Sequence, residues 1–316
     1  MGARKELSIK GKKVLVTGGA GFLGSHLVEK LGGNDIVVVD DLSTTPEVVL
    51  PPWVTFHKKK AEEFTTNKGF DLVIHMAARP SPEDYINFPV ETMLANSIAT
   101  YKMLEIARRN DAPFFYTSTS EVYGSAEKVP TPETYWGMVN PNGIRSCYDE
   151  SKRFSEALAM SYHRQYGLDV RIERIFNTYG PRLRGEGSYG RVVSRFIVQA
   201  LRGENITVHG DGLQTRAFLY VDDWVDATLR ILETKKLAGE VVNIGSDQEI
   251  TILDLAKRII GLAGSPSKIV FESPRVDDPR RRAADISKAK RFLGWSPHTP
   301  LNEGLGKTID WFRERV

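Results

Sequence analysis

The sequence predicts an α/β fold: a doubly wound parallel sheet with helices on both faces, followed by a smaller α/β C-terminal lobe. Three observations predict it. Short, almost wholly apolar β-branched runs alternate with helical patterns through the first half, as strands buried on both faces require. A glycine-rich turn joins the first of these runs to the first helix. Beyond Asn177 the texture changes to loops rich in Gly, Pro and Arg (NTYGPRLRGEGSYGR).

Taken in order, 12–17 (KKVLVT) is a buried strand bounded by glycine, and 21–31 is a helix. The runs 35–39 (DIVVV), 72–75 (LVIH) and 113–117 (PFFYT) repeat the strand signature. Between the last two, 90–109 is helical, with Leu94, Ile98, Leu104 and Ile106 near one face. A long helix over 145–166 and a strand over 170–175 complete the pattern. Helices are expected again at 192–202, 221–234, 251–263 and 301–313, with short strands between. The larger domain is drawn as 1–177 with 215–246 returning to it, and the smaller as 178–214 and 247–316.

Composition narrows the function classes. The chain has 316 residues, 41% apolar and 26% charged, ordinary for a soluble globular protein. A net charge of +3, with basic residues scattered, argues for no nucleic-acid partner; Arg280-Arg281-Arg282 is read as a solvated loop. One cysteine, Cys147, excludes an internal disulfide and a multi-cysteine metal site, and fits a reducing, cytoplasmic setting. The opening MGARKELSIKGKK has no apolar core, so it is not read as a secretory signal. No apolar run reaches the length of a membrane span. Six histidines without a close His/Cys/Asp grouping predict no metal; His75, closing a strand, is read as a satisfied polar residue near the cofactor.

The chemistry-bearing residues fall into three groups. Gly18, Gly21 and Gly24, with Phe22 and Leu23 between them, follow a strand and open a helix, so a pyrophosphate can approach the helix N-terminus. Such a turn can also serve packing alone, but Asp40 ends the next strand, 22 positions beyond Gly18, where a carboxylate holds a ribose diol. With no nearby arginine for a 2′-phosphate, the cofactor is read as NAD in a Rossmann-like domain, and Ala77, just past the 72–75 run, is grouped with it. The second group is Thr119, Ser120 and Glu121 at a strand end, then Tyr148 and Lys152 four apart on one helix face. A lysine ammonium beside a phenol favours phenolate, so this pair can move a proton and orient a ribose. Without the glycine turn, Ser120 and Glu121 read as a strand terminus and cap, and Tyr-x-x-x-Lys as a solvated helix face. The third group comprises arginines at loop ends: Arg182, Arg184, Arg191, Arg216, Arg275 and Arg282. A nucleoside diphosphate needs two or three of them, and Arg191 and Arg216 are the best placed.

Together these residues resemble the extended short-chain dehydrogenase/reductase superfamily of nucleotide-sugar epimerases, dehydratases and decarboxylases. TGGAGFLGSHL, STSEVYG, CYDESKR, RIFNTYGPR, GDGLQTRAF and DISKAKRFLGWSP span nearly the entire chain. Within it, YWGMVNPNGIRSCYDESKR, RVVSRFIVQAL and DDPRRRAADI resemble the UDP-glucuronate decarboxylase (UDP-xylose synthase) branch. The resemblance implies NAD as cofactor, a nucleotide-sugar substrate held by the C-terminal domain, and a homodimer through a four-helix bundle that includes the Tyr-Lys helix. It implies that Thr119, Ser120 and Glu121 form the active-site cluster with Tyr148 as base and Lys152 as helper. It further implies that Tyr85 reaches the sugar and that Asn177, Arg191 and Arg216 hold the diphosphate; Arg275 and Arg282 are grouped with these as substrate-binding. The chain departs from the branch at Asp40–Thr45, at Ala78–Glu83, at Arg195, at Ala284 and in FHKKKAEEF.

The reaction this implies is oxidation at the sugar C4 by NAD, loss of carbon dioxide from the resulting β-keto acid, and return of hydride. The alternatives are a 4,6-dehydratase, with Glu121 as base at C5, and a 4-epimerase. A catalytically silent NAD sensor is the alternative from another class, and it would have no need of Tyr148, Lys152 and Glu121 together.

Overall fold

The structure is a computed structural model that describes residues 9–45, 48–185, 190–274 and 279–316. The first part alternates β1 (Lys13–Thr17), α1 (Phe22–Lys30), β2 (Asp35–Asp40), β3 (Thr55–Lys58), β4 (Leu72–His75), α2 (Pro82–Asn87), α3 (Pro89–Arg109), β5 (Phe114–Thr119), α4 (Ser146–Tyr166) and β6 (Val170–Ile175). Then come β7 (Thr178–Tyr179), α5 (Val192–Leu201), β8 (Ile206–His209), β9 (Thr215–Ala217), β10 (Leu219–Tyr220), α6 (Val221–Glu233) and β11 (Glu240–Ile244). The chain ends with β12 (Glu249–Thr251), α7 (Ile252–Ala263), β13 (Ile269–Glu272), β14 (Arg281–Arg282), α8 (Ser287–Leu293) and α9 (Leu301–Arg313).

Seven strands form one parallel sheet in the order β11-β6-β5-β4-β1-β2-β3. Alternate side chains of each strand enter different cores, which is why these runs read as continuously apolar. Val14, Val16, Ile36 and Val38 pack with Leu27 and Val28 of α1. Leu15, Val37 and Val73 pack on the other face with Met103 and Leu104 of α3 and Ala159 and Tyr162 of α4. Strand order reverses between β1 and β4, which opens a crevice at the strands' C-terminal ends.

Several boundaries differ from the sequence reading for physical reasons. β5 runs two residues past the apolar stretch, because Ser118 and Thr119 still pair with Arg174 and Ile175 of β6. β3 lacks an apolar signature because it is an edge strand with mostly exposed side chains. On α3, Leu104 and Ile106 are buried, whereas Leu94 and Ile98 lie on an uncovered face. Residues 215–217 belong with the smaller lobe's strands, since β9 pairs with β12 and β14; only β11, after α6, rejoins the large sheet. The smaller lobe has its own apolar centre, with Phe196, Ile197, Leu255, Ile259, Leu305 and Ile309 inaccessible or nearly so. Among the described residues no helix is long and apolar enough to cross a membrane.

Candidate active site

The C-terminal ends of β1, β2, β4, β5 and β6 open into one cleft of about 1350 Å³, closed on its far side by the smaller lobe. Its volume exceeds the usual range for a single small ligand and has room for two.

The β1–α1 turn is shaped for a close ligand. Gly18 has φ +72°, and a Cβ there would meet Ala77 N at 2.6 Å. A Cβ on Gly24 would collide with Gly18 O. The first turn of α1 has no acidic residue and no side-chain cap, so its N–H groups remain available to an anion. Asp40 is buried at the end of β2, where its oxygens accept from Leu42 N at 2.9 Å and Ala20 N at 3.1 Å. Burial raises its pKa against these two bonds. A carboxylate so placed beside the glycine turn fits a ribose diol, and the turn fits a pyrophosphate, so the residues present suit NAD. His75 is inaccessible: Nδ1 lies 2.6 Å from Thr17 Oγ1 and Nε2 3.0 Å from Thr100 Oγ1. Burial and the nearby Lys152 hold it down to about 3, hence neutral. Among the described residues there is no group of three or more His, Cys, Asp or Glu that could hold a metal.

α4 brings Tyr148 and Lys152 to the opposite wall, on the same face one turn apart. The Tyr148 ring stacks on Tyr85 with centroids 4.9 Å apart, and Tyr85 in turn donates to Pro80 O. Lys152 Nζ donates to Thr117 O at 2.9 Å and lies 6.0 Å from the centre of the Tyr148 ring. Burial opposes the effect expected of the ammonium on this phenol. Burial is the larger effect: it pushes Tyr148 up to about 12, although Arg191 and the Thr119 hydroxyl draw it down, and it pushes Lys152 down to about 7. Burial thus favours the neutral phenol, while Arg191 and the Thr119 hydroxyl work toward the phenolate that proton removal requires.

Thr119 ends β5, and its hydroxyl accepts from Glu121 N, so the cluster is also the cap of a short 3₁₀ turn over Ser120–Tyr123. Glu121 takes both η nitrogens of Arg282, and Arg145 Nη2 reaches its Oε2 at 2.5 Å. Burial works to raise this carboxyl, but the charges of Arg282 and Arg145 overcome it and hold the group at about 2. Glu121 is thus a fixed anion with both oxygens occupied.

The remaining expected residues separate into two places. Asn177, Arg191 and Arg216 line the cleft on the smaller-lobe side, with Arg182, Arg184 and Arg195 nearby. Arg216 is anchored from β9 through Nη1 to Thr215 O at 2.8 Å. Arg282 stands opposite Arg216 in the β14–β9 ladder, but its guanidinium goes to Glu121 rather than joining the other arginines. Arg275 lies outside the described residues.

Two residues of the site were not singled out from sequence: Arg145 and Asp149. The signal was present, since 145, 148, 149 and 152 follow i, i+3, i+4, i+7 spacing and share one helix face. Asp149 is buried, with Oδ2 3.9 Å from Arg145 Nε. Burial and the Glu121 charge push it up to about 7 against Arg145 and Arg282.

Comparison with known proteins accords with this geometry. The sequence model of the NAD dependent epimerase/dehydratase family matches residues 14–245. UDP-glucuronic acid decarboxylase 1 of Xenopus tropicalis is 44% identical over 311 residues, 96% of this chain and 73% of that protein. UDP-glucuronic acid decarboxylase 3 of Arabidopsis thaliana is 45% identical over 96% of this chain and 90% of its own length. Among solved structures, UDP-glucuronic acid 4-epimerase from Bacillus cereus, in complex with UDP-glucuronic acid and NAD, superposes with a TM-score of 0.86. It is 30% identical, over 96% of this chain and all of that one.

Proposed function

The chain belongs to the NAD dependent epimerase/dehydratase family, and from that premise we infer that it is an NAD-dependent UDP-glucuronate decarboxylase. It converts UDP-glucuronate to UDP-xylose and carbon dioxide through a 4-keto sugar, with no net oxidation.

The geometric observation that carries decarboxylation over dehydration is the state of Glu121. A 4,6-dehydratase needs a base at C5 at this position. Glu121 is held near pKa 2 with both oxygens on arginines, which makes it a weak base and a good fixed orienter. A 4-epimerase needs no such anion. Identity to the two decarboxylases is also higher, at 44% and 45%, than the 30% to the 4-epimerase.

The residue roles follow as part of the same proposal. Gly18, Gly21, Phe22, Leu23 and Gly24 take the cofactor pyrophosphate, Asp40 a ribose, and Ala77 and Lys152 the nicotinamide end. When bound, NAD supplies a hydride acceptor for the sugar C4 and returns the hydride at the end. Tyr148, assisted by Lys152 and Thr119, removes the proton of the C4 hydroxyl as the ketone forms. Arg191 contributes through its field, which favours the phenolate. The C6 carboxylate is now β to a ketone. Its C5–C6 bond breaks, carbon dioxide leaves, the electron pair passes into the C4 enolate, and a proton is added at C5. Tyr85, Ser120 and the Glu121–Arg282 pair orient the sugar ring; Asn177, Arg191, Arg216 and Arg275 are assigned to the nucleoside diphosphate.

The protein acts in the cytoplasm as a homodimer in this reading. Support for the dimer comes from α3 and α4: Leu94, Ile98 and Tyr101 recur at helical spacing on the uncovered face of α3, and Phe154 of α4 is half exposed. A second copy meeting this face would complete a four-helix bundle.

The test is to incubate the protein with UDP-glucuronate and NAD and to analyse the products by mass spectrometry. Carbon dioxide with UDP-xylose is expected; UDP-galacturonate alone would replace decarboxylation by epimerisation.

A further inference from the structure

Beside the main cleft lies a second cavity of about 240 Å³. Glu121, Arg145 and Arg282 line both, so these three side chains form the wall between them. Tyr148 and Lys152 line only the main cleft, whereas Asp149 lines only the smaller cavity. Asp149 Oδ1 is buried with no hydrogen-bond partner among the described residues, and its only ion-pair contact is the long one, 3.9 Å, to Arg145. A buried carboxylate with one bare oxygen is costly in its charged form, so this side chain is poised between its acid and its anion.

The wall contains two guanidinium cations and one committed carboxylate. With Asp149 protonated it carries one uncompensated positive charge; with Asp149 ionised it carries none. The smaller cavity reaches the surface beside the exposed Met138 and Asn140. Asp149 can therefore exchange its proton with water while the main cleft is filled.

We propose that Asp149 is a positioning residue that sets the net charge of the Glu121–Arg145–Arg282 wall, and that its protonated form leaves a positive charge facing the C6 carboxylate of the bound sugar. This rests on UDP-glucuronate being the substrate. One surplus charge, shared with Glu121, draws the carboxylate in without the tight pairing that would hold it back from leaving as carbon dioxide. The charged groups facing Asp149 are Glu121 from the turn after β5, Arg282 from β14, and Arg145 and Glu150 on its own helix. Its midpoint of about 7 puts the switch within the working range of a cytoplasmic enzyme.

The experiment compares the wild type with Asp149→Asn and Asp149→Glu. It measures KM for UDP-glucuronate and equilibrium binding of UDP-glucuronate and UDP-glucose from pH 6 to 8. For the wild type, KM and Kd for UDP-glucuronate rise about tenfold across this range, as expected for one proton. Affinity for UDP-glucose, which has no carboxylate, stays flat. Asp149→Asn abolishes the rise, because its wall is positive at every pH, and Asp149→Glu restores it. A loss of structure in the Asn variant would weaken both sugars alike and leave the Glu variant's profile as the deciding result. The proposal is overturned if Asp149→Asn keeps the wild-type rise, or if UDP-glucose shows the same rise. A wild type that binds UDP-glucuronate with this pH dependence yet releases no carbon dioxide supports the wall and overturns the decarboxylase reading. Turnover with a flat KM overturns the wall alone.

Discussion

Glu173 is a carboxyl group in the middle of the protein with no counter-ion among the described residues, and it should make stability depend on pH in a calculable way. It lies on β6, a central strand, and is inaccessible to solvent. Trp224 Nε1 donates to Oε1 at 3.0 Å and Thr228 Oγ1 to Oε2 at 2.9 Å, both from α6. No cation pairs with it among the described residues. Burial pushes its pKa up to about 8 from an ordinary 4.5, with the two hydrogen bonds pulling the other way. The native state therefore holds one more proton than the unfolded chain between pH 4.5 and 8. Its contribution is complete below the unfolded value and declines as pH rises, until the native group ionises near 8. The slope is about 1.4 kcal/mol per pH unit, so from pH 5.5 to 7.5 the loss approaches ~3 kcal/mol. Glu173→Gln removes this dependence without removing the bonds: the amide oxygen accepts from Trp224 and the amide nitrogen donates to the Thr228 hydroxyl. Unfolding by urea, followed by Trp fluorescence at pH 5.5, 6.5 and 7.5, should show the variant gaining about 1.4 kcal/mol on the wild type per unit. Only the difference matters, since the other titrating groups are common to both proteins. A difference that stays constant over this range would refute the argument that Glu173 is protonated in the fold.

Three further outcomes are expected. Tyr148→Phe should lower kcat on UDP-glucuronate by about 10²–10⁴-fold while NAD titration by fluorescence gives an unchanged Kd, because the phenol moves the proton but its ring remains on Tyr85. Gly18→Ala should weaken NAD binding at least ~100-fold in calorimetry, since the new Cβ meets Ala77 N at 2.6 Å with φ at +72° and the turn must shift away from the pyrophosphate. If the proposed dimer forms through this face, Ile98→Asp should give a monomer in light scattering while the single chain still folds, because Ile98 is 41% exposed in it. An unchanged mass would move the interface away from the α3–α4 face.

What was legible in the sequence was what short spacing encodes. A strand, a glycine turn and a helix place Gly18, Gly21 and Gly24 wherever the rest of the chain goes, and four residues on one helix place Lys152 under Tyr148. The alternation of apolar runs with helices fixed the parallel sheet, because strands covered on both faces have no other way to be buried. What only the tertiary structure decided was electrostatic. Glu121, Arg145 and Arg282 meet across 24 and 161 residues of chain, and Arg282 arrives only because β14 pairs with β9. That meeting ties both oxygens of Glu121 to arginines, which makes it a poor candidate for a base. The balance at Tyr148 has the same origin: a neighbouring ammonium can be read from i, i+4 spacing, but burial, which raises the phenol, cannot. Side-chain charge states depend on how much water is left around a group and which distant charges surround it, and neither exists until the lobes have packed.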